Sequence, residues 1–382
     1  MSNSPTICSL LDLPDPYLER RFKFNKNEYR TERLDEATIQ YWQYRGKLNM
    51  FYQTLNQLPR TIFSAALQPL FGIEVETENI AYKRIDDKQP HGWVIKEDSS
   101  LRHGLEFMSY PGDYEESRHL LASLYLFFVE QLKRKPNFSW RTSEHVHLNV
   151  RWLNREQLGN FILLYCVFEK LLFKFSGESR ENSIFCVPIT ESSPDIIQYI
   201  LSSSGLRDYE AVVYLADGWE KYSALNLFRL RDLGTIEFRH FGGTWETEKL
   251  MLWLQLIGKL LMSASTMKQE YIVSHLKNLN SLSNYGEFKN EVFGFELGRI
   301  LGEPKNFISL LSHGVSFAKE CVVFPKKYTL DLNTEAGRWA NRIVEKVKKL
   351  PKSEAPKKKK PAEVSISFAD MVMEPPIISQ EN

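Results

Sequence analysis

Residues 71–76 read Phe71-Gly72-Ile73-Glu74-Val75-Glu76, and their alternation of apolar and polar positions is typical of a β-strand. Successive side chains of a strand point to opposite faces, so Glu74 and Glu76 would project from the same face. Two carboxylates side by side on a buried face are costly unless a positive charge lies between them, and a divalent cation is the usual solution. The alternative is an exposed face with two solvated glutamates, and this stretch by itself favours neither.

Three later strand-like runs also place chemically active side chains at alternating positions. In chain order they carry Glu106, His145 with His147, and Glu237 with Arg239. Each run has an ordinary interpretation as well, since a histidine on a strand is usually structural and Glu237 with Arg239 could form only an ion pair. Four such patterns on separate strands are improbable if all these side chains are only structural, and together they favour a shared metal-binding site.

The chemistry of these side chains indicates which metal they would bind. Carboxylates with one or two imidazoles, and no thiolate, suit Mg²⁺ or Mn²⁺ better than zinc. Two such ions could bridge nucleotide phosphates and neutralise their charge during phosphoryl transfer. Arg239 could then make a planar, bidentate contact with a phosphate or a carboxylate.

Composition limits the class of protein. The chain has 382 residues, 43% of them hydrophobic, which suffices for one large domain or two ordinary ones. Its net charge of +1 favours no nucleic-acid partner, and its four cysteines lack a CxxC spacing. No signal-peptide pattern and no apolar run of about 18 residues occurs, so we expect a cytoplasmic-type protein without a membrane partner.

The chain divides into four predicted parts. These are an N-terminal arm at 1–65, partly helical around 35–55; a catalytic core at 66–265; a helical continuation at 266–348; and a disordered tail at 349–382. The arm would pack on its own domain or dock a larger assembly. The tail contains Lys357–Lys360, which could contact nucleic acid, although a solvated charge run is the ordinary interpretation.

Strand-like pieces in hairpin order, with helices inserted between them, predict an α+β fold on an antiparallel sheet. The strongest helical patterns cover 115–133, 155–175 and 246–265. A short helix at 195–204 and a strand at 207–215 are also predicted. Neither GxGxxG nor GxxxxGK[ST] occurs, so a bound nucleotide would be held by metals and side chains.

Six ordered motifs over about 190 residues give the chain a specific likeness. They are FGIEVE (71–76); Trp93, Asp98 and Ser100 before GLE (104–106); HVHLNV (145–150); SRENSIFC (179–186); Tyr222 with Leu225 and Asn226; and TIEFRHFGGT (235–244). From about residue 70 to 260 the chain thereby resembles the amidoligase family, glutamine synthetase-like carboxylate–amine ligases related also to glutamate–cysteine ligase. It departs from the family at Ser143-Glu144, where members usually have a small or glycine-rich lead-in.

The resemblance implies a curved antiparallel sheet of the glutamine synthetase catalytic-domain type, with helices on its outer face and helical N- and C-terminal extensions. It implies one metal held by Glu76 and Glu106, with Asp98 as a candidate third ligand. The second metal, nearer the γ-phosphate of ATP, would be held by Glu74, His145 and Glu237.

The resemblance also implies roles for other side chains. His147 and Arg239 would contact phosphate or the activated carboxylate, with Arg180 as a further catalytic group. Lys96 and Asn226 would help to bind the nucleotide, and Lys221 is a further candidate contact. The alternative for Arg180 and Asn182 is that they only organise their loop.

The implied reaction has two steps and uses ATP with Mg²⁺ or Mn²⁺. A substrate carboxylate attacks the γ-phosphate to give an acyl phosphate, and an amine then displaces phosphate to form an amide or peptide bond. Small-molecule or peptide substrates would be selected by the loops at 79–92 and 186–222. The alternative is a non-catalytic structural or assembly protein, because family members are common in bacteriophage genomes; it would lie in the host cytoplasm or in the virion.

Overall fold

The computed structural model describes residues 6–7, 69–80, 90, 92–133, 135–177, 180–181, 183–192, 219, 221–230, 233–302 and 314–323. The elements predicted at 35–55 and 195–215, the tail from 349 and Asn182 lie outside these residues, as do parts of the loops at 79–92 and 186–222. Within the N-terminal arm, Ile7 is fully buried and its N–H donates to the carbonyl of Leu153 at 2.8 Å. This short piece of the arm therefore contacts the core.

Six strands form a single antiparallel sheet in the order β2-β3-β1-β4-β6-β5. The strands are β1 (Phe71–Thr77), β2 (Trp93–Glu97), β3 (Leu105–Ser109), β4 (Ser143–Asn149), β5 (Leu225–Asn226) and β6 (Thr235–Gly242). The predicted α+β class with an antiparallel sheet is confirmed. The opening stretch forms a central strand, β1, with β3 on one side and β4 on the other.

Helices cover one face of the sheet, and the connections place the strands in hairpin-like order. The helices of the described residues are α1 (Tyr114–Leu126), continued by a π-helical turn (Phe127–Gln131); α2 (Arg155–Ser176); α3 (Ile189–Ser192); α4 (Thr247–Thr266); α5 (Gln269–Asn278); α6 (Leu282–Phe293); α7 (Phe295–Leu301); and α8 (Ser316–Val322). A short 3₁₀ turn covers Phe228–Leu230. Asp113 and Asn154 begin α1 and α2 with capping boxes, which satisfy the first free N–H groups of each helix.

The core lies between this sheet face and the two long helices. The ring of Phe238 on β6 contacts Phe161 of α2 at 6.2 Å and Trp253 of α4 at 5.7 Å between centroids. In β1, the apolar residues Ile73 and Val75 are buried on the same side. The apolar half of each strand's alternation thus packs on helices, which leaves the polar half on the opposite face.

The remaining helices pack on the outer side of α2. The hydroxyl of Tyr285 in α6 donates to the carbonyl of Val167 at 3.0 Å, and the rings of Phe168 and Phe293 lie 5.1 Å apart. No single helix in the described part of the chain is long and apolar enough to cross a membrane; α4 and α5 meet those criteria only as a pair, bent by 111°.

A β-bulge interrupts the pairing of β4 with β6 next to the polar face. His145 of β4 opposes two residues of β6, Arg239 and His240, because the register shifts there. As a result His240 and Phe241 both face the helices, with ring centroids 5.0 and 5.3 Å from that of Trp253. Arg239 stays on the polar face, so the bulge separates a core residue from a site residue.

A buried polar cluster beneath the sheet anchors the loop that follows α2. Glu169 of α2 accepts a hydrogen bond from the N–H of Ile189 at 2.8 Å and one from the hydroxyl of Thr190 at 3.4 Å. Burial raises the pKa of the Glu169 carboxyl to about 7, although these hydrogen bonds and one from Tyr165 lower it. The Tyr165 hydroxyl and Nε2 of His240 lie 2.7 Å apart, and burial lowers the pKa of that imidazole to about 3.

Glu169 should make the stability of the protein pH-dependent. Its folded-state pKa of about 7 exceeds the ordinary 4.5, so the folded chain holds a proton that the unfolded chain releases. The contribution of Glu169 to the free energy of unfolding is complete below pH 4.5 and declines as the pH rises to about 7. In the parent protein we expect the free energy of unfolding, measured by urea titration, to fall by an amount on the order of 3 kcal/mol across this pH range. In Glu169→Gln this fall should be absent. The exposed Glu97→Gln variant should retain it, and identical profiles for Glu169→Gln and the parent would contradict this assignment.

Gly104 should be required where β3 begins beside the end of β1. A Cβ atom at this position would lie 2.4 Å from the carbonyl oxygen of Thr77 and 2.5 Å from Cβ of Leu101. We therefore expect Gly104→Ala to lower the free energy of unfolding by about 1–3 kcal/mol in urea titrations. Gly242→Ala is the matched control, because its Cβ would meet Arg180 at an ordinary 3.6 Å. An equal loss in both variants would show that the close approach at Gly104 is not the cause.

Candidate functional site

The polar face of the sheet brings together the side chains that the strand patterns singled out. Glu74 of β1 pairs directly with His145 of β4, and His147 of β4 pairs with Glu237 of β6. Directly paired residues of antiparallel strands share a face, so these four groups converge. Arg239 joins them from the bulged part of β6.

Glu74, His147 and Glu237 form a cluster that could hold a metal ion. One ligand atom from each lies within 4.8 Å of the others. Nε2 of His147 is 3.1 Å from Oε1 of Glu74. Nδ1 of His145 lies 3.2 Å from Oε2 of Glu74 and 3.4 Å from Oε1 of Glu237, so the second imidazole borders the same cluster.

The protonation of the cluster follows from these contacts. Burial opposes ionisation of Glu74, but the charges and hydrogen bonds of His147 and His145 hold its pKa well below its usual range. Burial likewise opposes ionisation of Glu237, whose pKa is nevertheless lowered by His145 and Arg239. Burial alone would lower the pKa of His147, and the Glu74 carboxylate raises it instead. Both carboxylates are therefore ionised at neutral pH, as metal ligands must be.

Further hydrogen bonds fix the orientation of these ligands. The hydroxyl of Thr235 and Nδ1 of His147 are 3.0 Å apart, which leaves Nε2 directed at Glu74. Nδ2 of Asn226 donates to Oε2 of Glu237 at 2.8 Å, and the guanidinium of Arg239 pairs with Oε1 of the same carboxylate. Such outer partners orient ligands and tune their basicity.

Glu76 and Glu106 lie on the same face, and among the described residues they have other partners. Oε2 of Glu76 accepts from the N–H and the hydroxyl of Ser143, at 2.8 and 2.6 Å. Nζ of Lys96 is 2.7 Å from Oε2 of Glu106. Burial and the nearby Glu74 charge raise the pKa of Glu106 to about 8 even so. These two glutamates adjoin the cluster but do not complete a second one.

The two arginines lie at the side of the cluster nearest the loop at 183–192. Nε of Arg239 donates to the carbonyl of Phe185 at 3.2 Å, and Nη2 of Arg180 donates to the carbonyl of Arg239 at 3.1 Å. Arg180 is 6% exposed, and burial followed by the positive charge of Arg239 lowers its pKa, with the Cys186 thiol acting in the opposite direction. The two guanidinium groups are thus held as neighbours in a largely buried place.

The structure places the predicted residues in a slightly different grouping from the one the resemblance implies. His147, expected at a phosphate, is the imidazole of the three-residue cluster, while His145, expected as the ligand, stands beside it. Asn226, expected at the nucleotide, supports Glu237. Asp98 accepts from the N–H of Ser100 at 2.7 Å within its own turn, and Lys221 lies over the ring of Tyr222.

Ser143 and Thr235 are site residues that the strand patterns missed. Ser143 bonds Glu76 and also lies 2.8 Å from Nε2 of His145. A usable signal was present, since Ser143 stands two positions before His145 in the same alternation, and Thr235 stands two positions before Glu237. Extending each alternation by one step would have placed both hydroxyls on the polar face.

The donor set suits a hard or borderline divalent cation. Two ionised carboxylates and an imidazole match the ligands of Mn²⁺ and Mg²⁺, and the cysteines of the described residues are buried elsewhere. Arg239 adds a planar donor for phosphate or carboxylate oxygens beside the same group. The arrangement can bind an anionic substrate through a metal ion and a guanidinium together.

Comparison with known proteins supports the resemblance seen in the motifs. Residues 55–261, which are 207 of the 382 residues, match the family model described as "Putative amidoligase enzyme". A comparison with curated proteins found no match. The matched segment contains every strand of the sheet and every residue of the cluster.

The cluster should bind a divalent ion in the absence of any substrate. We expect Mn²⁺ titrated into the purified protein to bind, and Glu74→Gln to weaken it at least about tenfold, because a charged ligand is lost. Calorimetry or the spin-resonance signal of free Mn²⁺ measures the affinity. Glu97→Gln, which removes an exposed carboxylate from the opposite face of β2, is the control. Equal affinity for all three proteins would show that the cluster is not the metal site.

Proposed function

The chain belongs to the amidoligase family, and from that premise we propose that it is a ligase that joins a carboxylate to an amine at the expense of ATP. The observation that supports this best is the convergence of Glu74, His147 and Glu237 beside Arg239 on one sheet face. Phosphoryl transfer to a carboxylate requires cations around the phosphates and a group that positions the attacking oxygen. This face offers ligands for a cation beside the phosphates, and the guanidinium of Arg239 to position the attacking oxygen.

In the proposed first step, an oxygen of the substrate carboxylate attacks the γ-phosphorus of ATP. The bond between that phosphorus and the oxygen bridging it to the β-phosphorus breaks, and ADP leaves. A divalent ion held by the cluster would neutralise charge on the phosphates. Arg239 orients the carboxylate or the transferred phosphoryl group, and its position is held by Glu237 and by the carbonyl of Phe185.

In the proposed second step, the amine nitrogen attacks the carbonyl carbon of the acyl phosphate. The bond from that carbon to the phosphate oxygen breaks, inorganic phosphate leaves, and the nitrogen loses a proton to solvent. Arg239 and Arg180 are suited to bind the departing phosphate, since fixed donors aimed at developing charge lower the barrier. Arg180 is buried and the side chain of Arg239 is largely so, which strengthens that effect.

The proposal assigns Mg²⁺ or Mn²⁺ to Glu74, His147 and Glu237, with His145 adjacent. A second ion at Glu76 and Glu106 is implied by the resemblance, and it would meet the cation already beside Glu106. Lys96 would first have to leave Glu106, and its ammonium already supplies a positive charge at that place. The steps proposed above therefore do not depend on a second ion.

Ligase activity should appear as ADP release that depends on a matched pair of substrates. We would incubate the protein with ATP, Mg²⁺ or Mn²⁺ and a panel of amino acids, peptides and polyamines, and identify the amide by mass spectrometry. Glu74→Gln and Arg239→Lys should each reduce the rate by about 100-fold or more, because lysine lacks the planar fork. Glu97→Gln should retain activity.

Two outcomes would count against the proposal. ADP release of the same size in the parent and in Glu74→Gln, whatever substrate is added, would mean that the cluster does not catalyse the reaction. Stoichiometric recovery of the chain in a larger assembly, with no nucleotide binding, would favour the structural alternative instead.

A further inference from the structure

Exposed apolar side chains border the polar face beside the two arginines. We call the exposed Trp140, Ile184 and Tyr222, together with the half-buried Phe185, the aromatic rim. Trp140 is 63% exposed, Ile184 71% and Tyr222 43%. The rings of Trp140 and Phe185 lie 6.2 Å apart between centroids, and those of Phe185 and Tyr222 lie 5.7 Å apart. An exposed apolar surface of this kind beside a polar site is typical of ligand recognition.

The aromatic rim is continuous with the candidate site. The carbonyl of Phe185 accepts from Nε of Arg239, and the guanidinium of Arg239 lies 5.9 Å from the ring of Tyr222. Positive charge accompanies the rings, because Arg141 lies 4.8 Å from the ring of Trp140 and Lys221 lies 5.4 Å from that of Tyr222. The rim therefore suits a ligand that is both apolar and anionic.

The buried arginine pair indicates which anion this is. Arg180 and Arg239 are neighbours of like charge, and the charge of Arg239 contributes to the lowered pKa of Arg180. Nε of Arg180 is buried and has no hydrogen-bond partner among the described residues. Two adjacent guanidinium groups with a donor to spare are suited to bind a carboxylate.

We infer that the aromatic rim binds a peptide whose reacting carboxylate lies at Arg239 and Arg180 and whose neighbouring apolar side chains pack on Trp140, Ile184 and Tyr222. This inference rests on the proposed function and specifies its carboxylate substrate. Three rings at these spacings cover a surface on the order of 10 Å across, the length of about three extended residues. A single free amino acid would leave most of that surface exposed to water.

A nucleotide base fits this surface less well than a peptide. Ile184, the most exposed side chain of the rim, has no ring on which a base could stack. In an in-line transfer the attacking carboxylate and the departing ADP also lie on opposite sides of the γ-phosphorus, so the carboxylate side needs its own binding surface.

The test measures binding with no ATP and no metal present. The probes are acetyl-Leu-Phe and acetyl-Phe-Leu with free C-terminal carboxylates, their C-terminal amides, acetyl-Gly-Gly, and AMP. We expect each apolar carboxylate to bind about tenfold more tightly than its amide and than acetyl-Gly-Gly, by calorimetry or ligand-observed NMR. Trp140→Ala and Tyr222→Ala should remove the preference over acetyl-Gly-Gly. Phe295→Ala, which removes another exposed ring at 71% exposure far along the chain, should retain it.

Two results would overturn the inference. One is the absence of any preference for the apolar carboxylates in the parent protein. The other is weaker binding of AMP in Trp140→Ala with peptide binding unchanged, which would make the rim a platform for the base. Because no ATP is present, the outcome is independent of the ligase assay: peptide preference without ADP release would refute the proposed function, and ADP release without peptide preference would refute this inference alone.

Discussion

The antiparallel register of β1 with β4, and of β4 with β6, is the constraint on which the candidate site depends. It places Glu74 opposite His145 and His147 opposite Glu237. A shift of one residue in either pairing would turn the polar set toward the helices and the apolar set toward solvent. The register is held by the buried core on the other face, where Phe238 packs between α2 and α4. The hydrophobic core thus determines the geometry of a site that it does not touch.

The polar face also needs positive groups that keep its buried carboxylates ionised. Buried carboxylates at Glu74 and Glu237 keep their charge because imidazoles and Arg239 surround them. Burial and the charge of Glu74 raise the pKa of Glu106 to about 8, although Lys96 lies beside it. Burial, like charge and positive charge thus balance differently at the three glutamates.

The loop after α2 connects the core to the edge of the site. Glu169 holds its far end through Ile189, and Phe185 near its middle accepts from Arg239. The same loop supplies Arg180 and Ile184, so one segment carries a buried cation and an exposed apolar side chain. Hydrogen bonds at these two points help the loop to present binding groups at defined positions.

The amino-acid sequence by itself determined the strands that carry the glutamates and histidines of the cluster and the common face of each pair, but it left out Ser143 and Thr235. The alternation in residues 71–76 and in the histidine motif was sufficient for that, because the period of a strand assigns every second residue to one face. The motifs also sufficed for the family, which the match over residues 55–261 confirms.

Only the tertiary structure decided which members of the polar set touch one another. In the folded chain His147 lies beside Glu74 and Glu237. Glu76 accepts a hydrogen bond from Ser143, and Glu106 forms an ion pair with Lys96. The ring of Trp140 contacts that of Phe185. The physical reason is that strand periodicity sets the face of a residue but not its neighbours across the sheet. Those neighbours follow from strand order, from register and from the bulge opposite His145, which all arise from long-range packing.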